Sequence, residues 1–128
     1  MKFKVVLPIL GFEDEKEFEL IEINETFYKL KGKNVAFTLI NPFKIKPDYD
    51  FEITDAETEA LKLTSEKPFA VLNILTVNEP FDESTVNFAA PLIFNLEDKL
   101  MGQVILDKYP YSLADPLKNY LLKEKSEN

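Results

Sequence analysis

The sequence predicts an all-β fold: a compact β-barrel or sandwich of about seven short, mostly antiparallel strands, with short helical turns and a C-terminal helix. Three observations carry this. Short apolar or alternating segments recur as KFKVVL, EFELIEI, NVAFTLIN, YDFEI, FAVLNILTV, VNFAAPLIFN and GQVILD. Where they alternate, the period is two, as side chains on a pleated strand require. A chain of 128 residues that is 45% apolar and 30% charged can also bury a real core without disulfides or metals.

The N-terminal MKFKVVLPILGFEDE places two lysines before an apolar run, as a secretion signal does. Pro8 interrupts that run, no small-x-small cleavage pattern follows, and the acidic EDEKE comes at once, so it reads as a first strand. In EFELIEI, Glu17 and Glu19 alternate with Phe18 and Leu20. This reads first as the wet face of an edge strand, and the wider cluster of Glu13, Asp14, Glu15, Glu17, Glu19 and Glu22 is also a contact that suits a basic partner. Asn24 is placed to cap a turn carrying Phe27 and Leu30 that stops at Gly32, as a helix-end glycine would stop it. Thr54-Asp55-Ala56-Glu57 has the capping-box pattern and predicts a short helix through about Lys62. FAVLNILTV is apolar on both faces around Asn73 and reads as a central strand. Asp115-Pro116 sets a cap and a first-turn proline ahead of LKNYLLKEK, where Leu117, Tyr120 and Leu121 share a face. A polar tail follows at about 123–128. No internal repeat or linker divides the chain, so residues 1–128 are expected to form a single domain.

Composition narrows the chemistry. His and Cys are both absent, so triads, dyads and thiolate metal sites built on them cannot be assembled within this chain. Gly11, Gly32 and Gly102 are too scattered for a phosphate-cradling loop. Net charge is −8, the pI is near 4.6 and there is no Arg. Such a surface repels polyphosphate and lacks the forks that grip it, which argues against direct nucleic-acid binding. It suits a basic protein partner, or solubility alone. No apolar run approaches the ~20 residues that cross a bilayer, so a cytoplasmic protein with no membrane partner is expected.

Two stretches hold the candidate site residues. DYDFE, read as a strand, puts Asp48, Asp50 and Glu52 on one face and Tyr49, Phe51 and Ile53 on the other. Three hard oxygens at that spacing suit a divalent cation or an acid–base pair. Alternating charges are also what the wet side of any half-buried strand shows, and no EF-hand loop pattern accompanies them. VNFAAPLIFN, read as one strand, puts Val86, Phe88, Ala90, Leu92 and Phe94 on a core face, and Asn87, Ala89, Pro91, Ile93 and Asn95 on a second. Pro91 gives no amide to a ladder, so the strand must bend or stop pairing there. The second face is either covered by the chain itself or offered to a partner. Asp48, Asp50, Glu52, Asn87, Ala89, Ile93 and Asn95 form the candidate partner-binding set.

Several segments then fall in a telling order: Ile9-Leu10-Gly11-Phe12, Asn41-Pro42-Phe43, Pro47-Asp48-Tyr49, Asn87-Phe88-Ala89-Ala90-Pro91-Leu92-Ile93 with Asn95, Gln103-Val104-Ile105-Leu106, Tyr111-Ser112-Leu113 and Pro116-Leu117. Over almost the whole chain they resemble the flagellar assembly factor FliW family. The resemblance implies a cytoplasmic, non-enzymatic regulator of flagellin synthesis with a β-barrel-like fold and no cofactor. It also implies two competing partners, flagellin and CsrA, the carbon storage regulator that represses flagellin translation. Accumulated flagellin would occupy the regulator and leave CsrA free to repress; flagellin export would release it to antagonise CsrA. The pattern departs at Ala114 and Asp115, where relatives are expected to carry an arginine and a second polar or basic residue. Two other readings stand beside it: a carboxylate-metal enzyme or small-ligand barrel centred on Asp48, Asp50 and Glu52, and a flagellin chaperone that does not bind CsrA.

Overall fold

The computed structural model describes residues 1–121. Its strands are β1 (Lys2–Leu7), β2 (Glu17–Glu22), β3 (Phe27–Lys31), β4 (Ala36–Ile40), β5 (Phe69–Thr76), β6 (Thr85–Val86), β7 (Leu92–Asn95), β8 (Leu100–Gln103) and β9 (Asp115–Pro116). They form one sheet in the order β4-β3-β2-β1-β8-β7-β5, closed by a β4–β5 pairing, with β6 and β9 added beyond β5. The predicted all-β class is therefore found as a closed seven-stranded barrel with two short extra strands. Seven strands cannot alternate direction all the way round a ring. One neighbouring pair must run parallel, and here it is β1 with β8; every other pairing in the ring is antiparallel.

Strand alternation divides the apolar residues into two cores. Phe3, Phe18, Leu30, Leu39, Leu72, Leu92, Phe94 and Met101 come from all seven barrel strands and make the inner cluster. The second cluster holds Tyr49, Leu61, Val86, Phe88, Ile93, Val104, Leu106 and Leu117. It lies where residues 41–63 and 104–121 cover the outward side of β5 and β7, which is what buries the second face of VNFAAPLIFN.

Several expected elements take another form. VNFAAPLIFN is not one strand: β6 and β7 both pair with β5, and the five residues 87–91 bulge between them. Val86 and Phe88 therefore belong to the outer core while Leu92 and Phe94 belong to the inner one, instead of sharing a face. The bulge loses no hydrogen bonds. Phe88 and Ala89 donate to the Ser112 carbonyl, Leu106 donates to the Ala89 carbonyl, and Val104 donates to the Pro91 carbonyl.

Phe27 and Leu30 lie on β3, not on a capped helical turn. Asn24 instead accepts from the Thr26 and Phe27 amides, closing the β2–β3 hairpin. β2 is no edge strand, since it pairs with both β1 and β3. Its outward Glu19 sits opposite Lys2 and Lys31, an arrangement that favours this register. Glu15 is buried and accepts from the Lys33 and Asn34 amides.

The helix Asp55–Ala60 (α1) has both halves of its capping box: the Glu57 amide donates to Thr54 Oγ1, and the Thr54 amide donates to Glu57 Oε1. Asp115-Pro116 forms β9 against β6, and a helix begins at 118. The rest of the expected C-terminal helix and the polar tail at 123–128 lie outside the described residues.

Candidate protein-docking surface

The site begins at a proline. β4 pairs with β5 only from Thr38↔Leu75 to Ile40↔Asn73. Pro42 then opens a 3-10 turn, Pro42–Lys44, capped by Asn41, whose Oδ1 accepts from the Phe43 amide at 3.1 Å. This turn ends the pairing with β5 although it stays beside that strand, while β5 continues its pairing with β7 back to Phe69. Beside the opening lies an apolar hollow of about 280 Å³, lined by Phe43, Phe51, Leu63, Phe69, Val71 and the nearly buried Ile93. Asp50 is its one charged lining residue. Phe43 and Phe69, which both line this hollow, are 42% and 58% exposed.

Residues 48–54 form one side of this hollow, and they are not the strand expected from DYDFE. The in-and-out alternation survives without a ladder: Asp48, Asp50 and Glu52 are exposed while Tyr49 is buried and Phe51 and Ile53 are half-buried. Tyrosine hydroxyls replace the missing neighbour strand. Tyr111 accepts from the Asp50 amide at 3.3 Å and donates to the Asp50 carbonyl at 2.6 Å, and Tyr109 accepts from the Glu52 amide at 2.9 Å. The two rings stack 5.6 Å apart, 8° from parallel.

Beneath them the Tyr49 hydroxyl donates to the Phe88 carbonyl at 2.6 Å and accepts from Asn73 Nδ2 at 3.2 Å. Asn73 Nδ2 also reaches the Asn87 carbonyl at 2.8 Å. Burial holds the Tyr49 phenol neutral well above the usual tyrosine range. The strand β5, the bulge and residues 48–54 are thus fastened at one buried point.

The candidate residues separate into two groups. Asp50 and Ile93 meet at the hollow, with Glu52 and Asp48 further along the same exposed segment. Asp48 has Lys46 at 3.7 Å, and Asp50 Oδ1 accepts from the Phe51 amide. Among the described residues, no three carboxylates gather where they could share a metal ion. The other group serves the fold. Asn87 Oδ1 accepts from the Ala90 amide, and half-buried Ala89 is bonded through its backbone. Asn95 is wholly buried: its Nδ2 donates to the Leu61 and Lys62 carbonyls and to Asp98 Oδ2, and its Oδ1 accepts from the Glu97 and Asp98 amides. A partner reaches Asn95 only by opening the fold. Phe43, Phe69, Tyr109 and Tyr111 were not among the candidates; Pro42, which ends the β4 pairing, was the available sign that β5 would be left open beside Phe69.

The same architecture occurs in a known family. The sequence model of the FliW protein matches residues 2–117. This chain belongs to the FliW family. It is 45% identical to the flagellar assembly factor FliW of Campylobacter lari over 98% of this chain and 93% of that protein. It is 39% identical to the FliW of Sulfurimonas denitrificans, covering 96% and 100% respectively. A crystal structure of the flagellar assembly factor FliW superposes with a TM-score of 0.84 at 35% identity, over 91% of this chain and 84% of that one. At Ala114, where relatives of the FliW family were expected to carry arginine, the residue is exposed and its amide donates to Ser112 Oγ. Asp115 accepts from Asn119 Nδ2 and the Tyr120 hydroxyl, which braces the last described turn. No helix among the described residues is long and apolar enough to cross a membrane.

Proposed function

We propose that this flagellar assembly factor acts as a non-enzymatic, cytoplasmic regulator that binds CsrA and relieves its repression of flagellin translation, and that flagellin competes for it. Membership of the FliW family over residues 2–117 carries this reading. Charge supports it. A chain of net charge −8 docked beside an RNA-binding surface adds unfavourable potential against phosphates, and so weakens RNA binding without filling the RNA site. We assign the partner contacts to Asp48, Asp50 and Glu52 and to the apolar hollow that Ile93 helps to line, because the three carboxylates are exposed and the hollow lies beside them.

A mobility shift with CsrA and flagellin leader RNA tests the proposal. Added chain should free the RNA, and added flagellin should restore the CsrA–RNA complex. RNA that stays bound at saturating chain refutes the antagonist role. If flagellin alone forms a complex of the expected mass, the chain is a flagellin chaperone. The exposed Phe43 and Phe69 favour that second reading, because unassembled subunits present apolar surface.

A further inference from the structure

Among the described residues, the edge of β5 beside Phe69 and Val71 is unpaired. In an antiparallel sheet, successive residues direct their N–H and C=O groups to opposite neighbours. The Leu96 amide donates to the Pro68 carbonyl at 3.0 Å, and the register sets Ala70 against Phe94 and Leu72 against Leu92. Pro68, Ala70 and Leu72 therefore face β7. Phe69, Val71 and Asn73 face the other way, where Ile40 of β4 meets Asn73. Continuing that register by two residues brings Pro42 opposite Val71, and Pro42 has no N–H and already opens the 3-10 turn. The backbone groups of Phe69 and Val71 on this side have no partner among the described residues.

Hollows lie on both faces of this edge. One is the 280 Å³ hollow beside Phe43, Phe51 and Phe69; the other, of about 310 Å³, is lined by Tyr28, Ala70 and Leu72 as well as Phe43 and Phe69. A guest strand hydrogen-bonded to the edge would send alternate side chains into each. At the rim, Asp50 has no cation within ion-pair distance among the described residues, and neither has Glu52.

We propose that this edge is a β-augmentation site for an extended segment of a partner protein, with apolar side chains at alternate positions and a lysine or arginine placed to meet Asp50. The proposal rests on the reading that the chain works by binding proteins, not on which proteins they are. A second copy of the chain is a poorer guest, because edge-to-edge pairing would bring two Asp50 rims and two charges of −8 together.

The probe is a fluorescent, end-blocked peptide, Lys-Val-Thr-Val-Thr-Val-Lys, followed by anisotropy. It should bind saturably, and N-methylation of two consecutive central residues, which blocks both of its edges, should weaken binding roughly tenfold or more. Val71→Pro removes a donor that faces only the open edge, so it should weaken the unmodified peptide to a similar degree while leaving the β7 ladder intact. Equal affinity for the two peptides, or dimerisation of the chain through this edge, overturns the proposal whether or not Val71→Pro folds. Competition separates the two readings. A CsrA or flagellin complex that the peptide cannot displace refutes the edge as the docking site, whereas saturable peptide binding with neither protein captured supports the edge and refutes those partners.

Discussion

Tyr49 shows how a single side chain can join sequence, packing and pH response. Its hydroxyl satisfies the Phe88 carbonyl and one Asn73 proton inside a core where no water replaces it readily. Tyr49→Phe keeps the ring contacts with Phe51, Phe88 and Tyr111 but leaves the buried Phe88 carbonyl and one Asn73 proton without a partner, while Asn73 Nδ2 keeps its bond to the Asn87 carbonyl, so we expect a loss of about 1–3 kcal/mol in urea denaturation. The phenol is raised in the folded state mainly by burial, so its contribution is complete below the ordinary value of 10.0 and fades as pH rises through the folded value. Alkaline melting curves of Tyr49→Phe should therefore lose part of the steepness seen in the parent. Asp98 behaves in the opposite sense. Hydrogen bonds from Lys67 at 2.5 Å and from Asn95 Nδ2 hold its carboxyl below the usual range. That stabilisation is present above the unfolded value of 3.8 and is lost as pH falls through the folded one. Asp98→Asn should flatten the acid limb of stability against pH, and an unchanged limb would show that the pair contributes nothing. Little of this was legible in sequence. No motif marks Asp98, and Tyr49 fell on the apolar face of DYDFE but without its partners, which lie 24 and 39 positions away.

At the scale of elements, the β1–β8 seam is the most exacting. A Cβ built on Gly102 would stand 2.5 Å from the Leu7 Cβ and 3.1 Å from its backbone nitrogen, so only glycine lets the two parallel strands approach where the register shifts. Gly102→Ala should cost about 1–3 kcal/mol as overpacking, measured by chemical denaturation; a neutral result would mean that the bulge in β1 yields easily. α1 gives a milder prediction. Thr54→Ala removes the Oγ1 acceptor from the capping box and should lower stability by about 1 kcal/mol, visible as a fall in thermal midpoint. The contrast explains which elements could be read in advance. The capping box is local, four residues that contain both hydrogen-bonding partners, and it was found where it was expected. β3 was missed because FYKLK has one fully buried residue, Leu30, and Asn24 with Gly32 fits a helical turn as well as a hairpin. Pro91 correctly forecast a break. It could not forecast that five residues would bulge and that Phe88 and Leu92 would part into separate cores, because the partners that hold the bulge come from Tyr49, Asn73 and residues 104–112.

For the molecule as a whole, a list of strands does not contain the barrel. The number of strands read from sequence was close, but closure depends on β4 meeting β5 and on β1 running parallel to β8, pairings between segments about 35 and about 95 residues apart that no local pattern encodes. Net charge, by contrast, is legible in full without any fold, and it leads to a kinetic prediction about the proposed CsrA complex. With a net charge of −8 and no arginine, long-range attraction should speed encounter with a basic surface, while the apolar hollow and the open β5 edge govern how long the complex lasts. Raising salt from about 0.05 M to about 0.5 M shrinks the screening length below the distance over which those charges act. The association rate measured by stopped flow should therefore fall steeply, with a much smaller change in the dissociation rate. Asp50→Lys with Glu52→Lys should lower the rate at low salt and reduce its salt dependence, with only a small fall in melting temperature, because both side chains are exposed and the one side-chain bond lost is that from the Phe51 amide to Asp50. Truncating Phe69 to alanine should instead raise the dissociation rate. If salt acts mainly on dissociation, or if the charge reversal leaves association untouched, the acidic face is a device for solubility and the contact with CsrA lies elsewhere on the barrel.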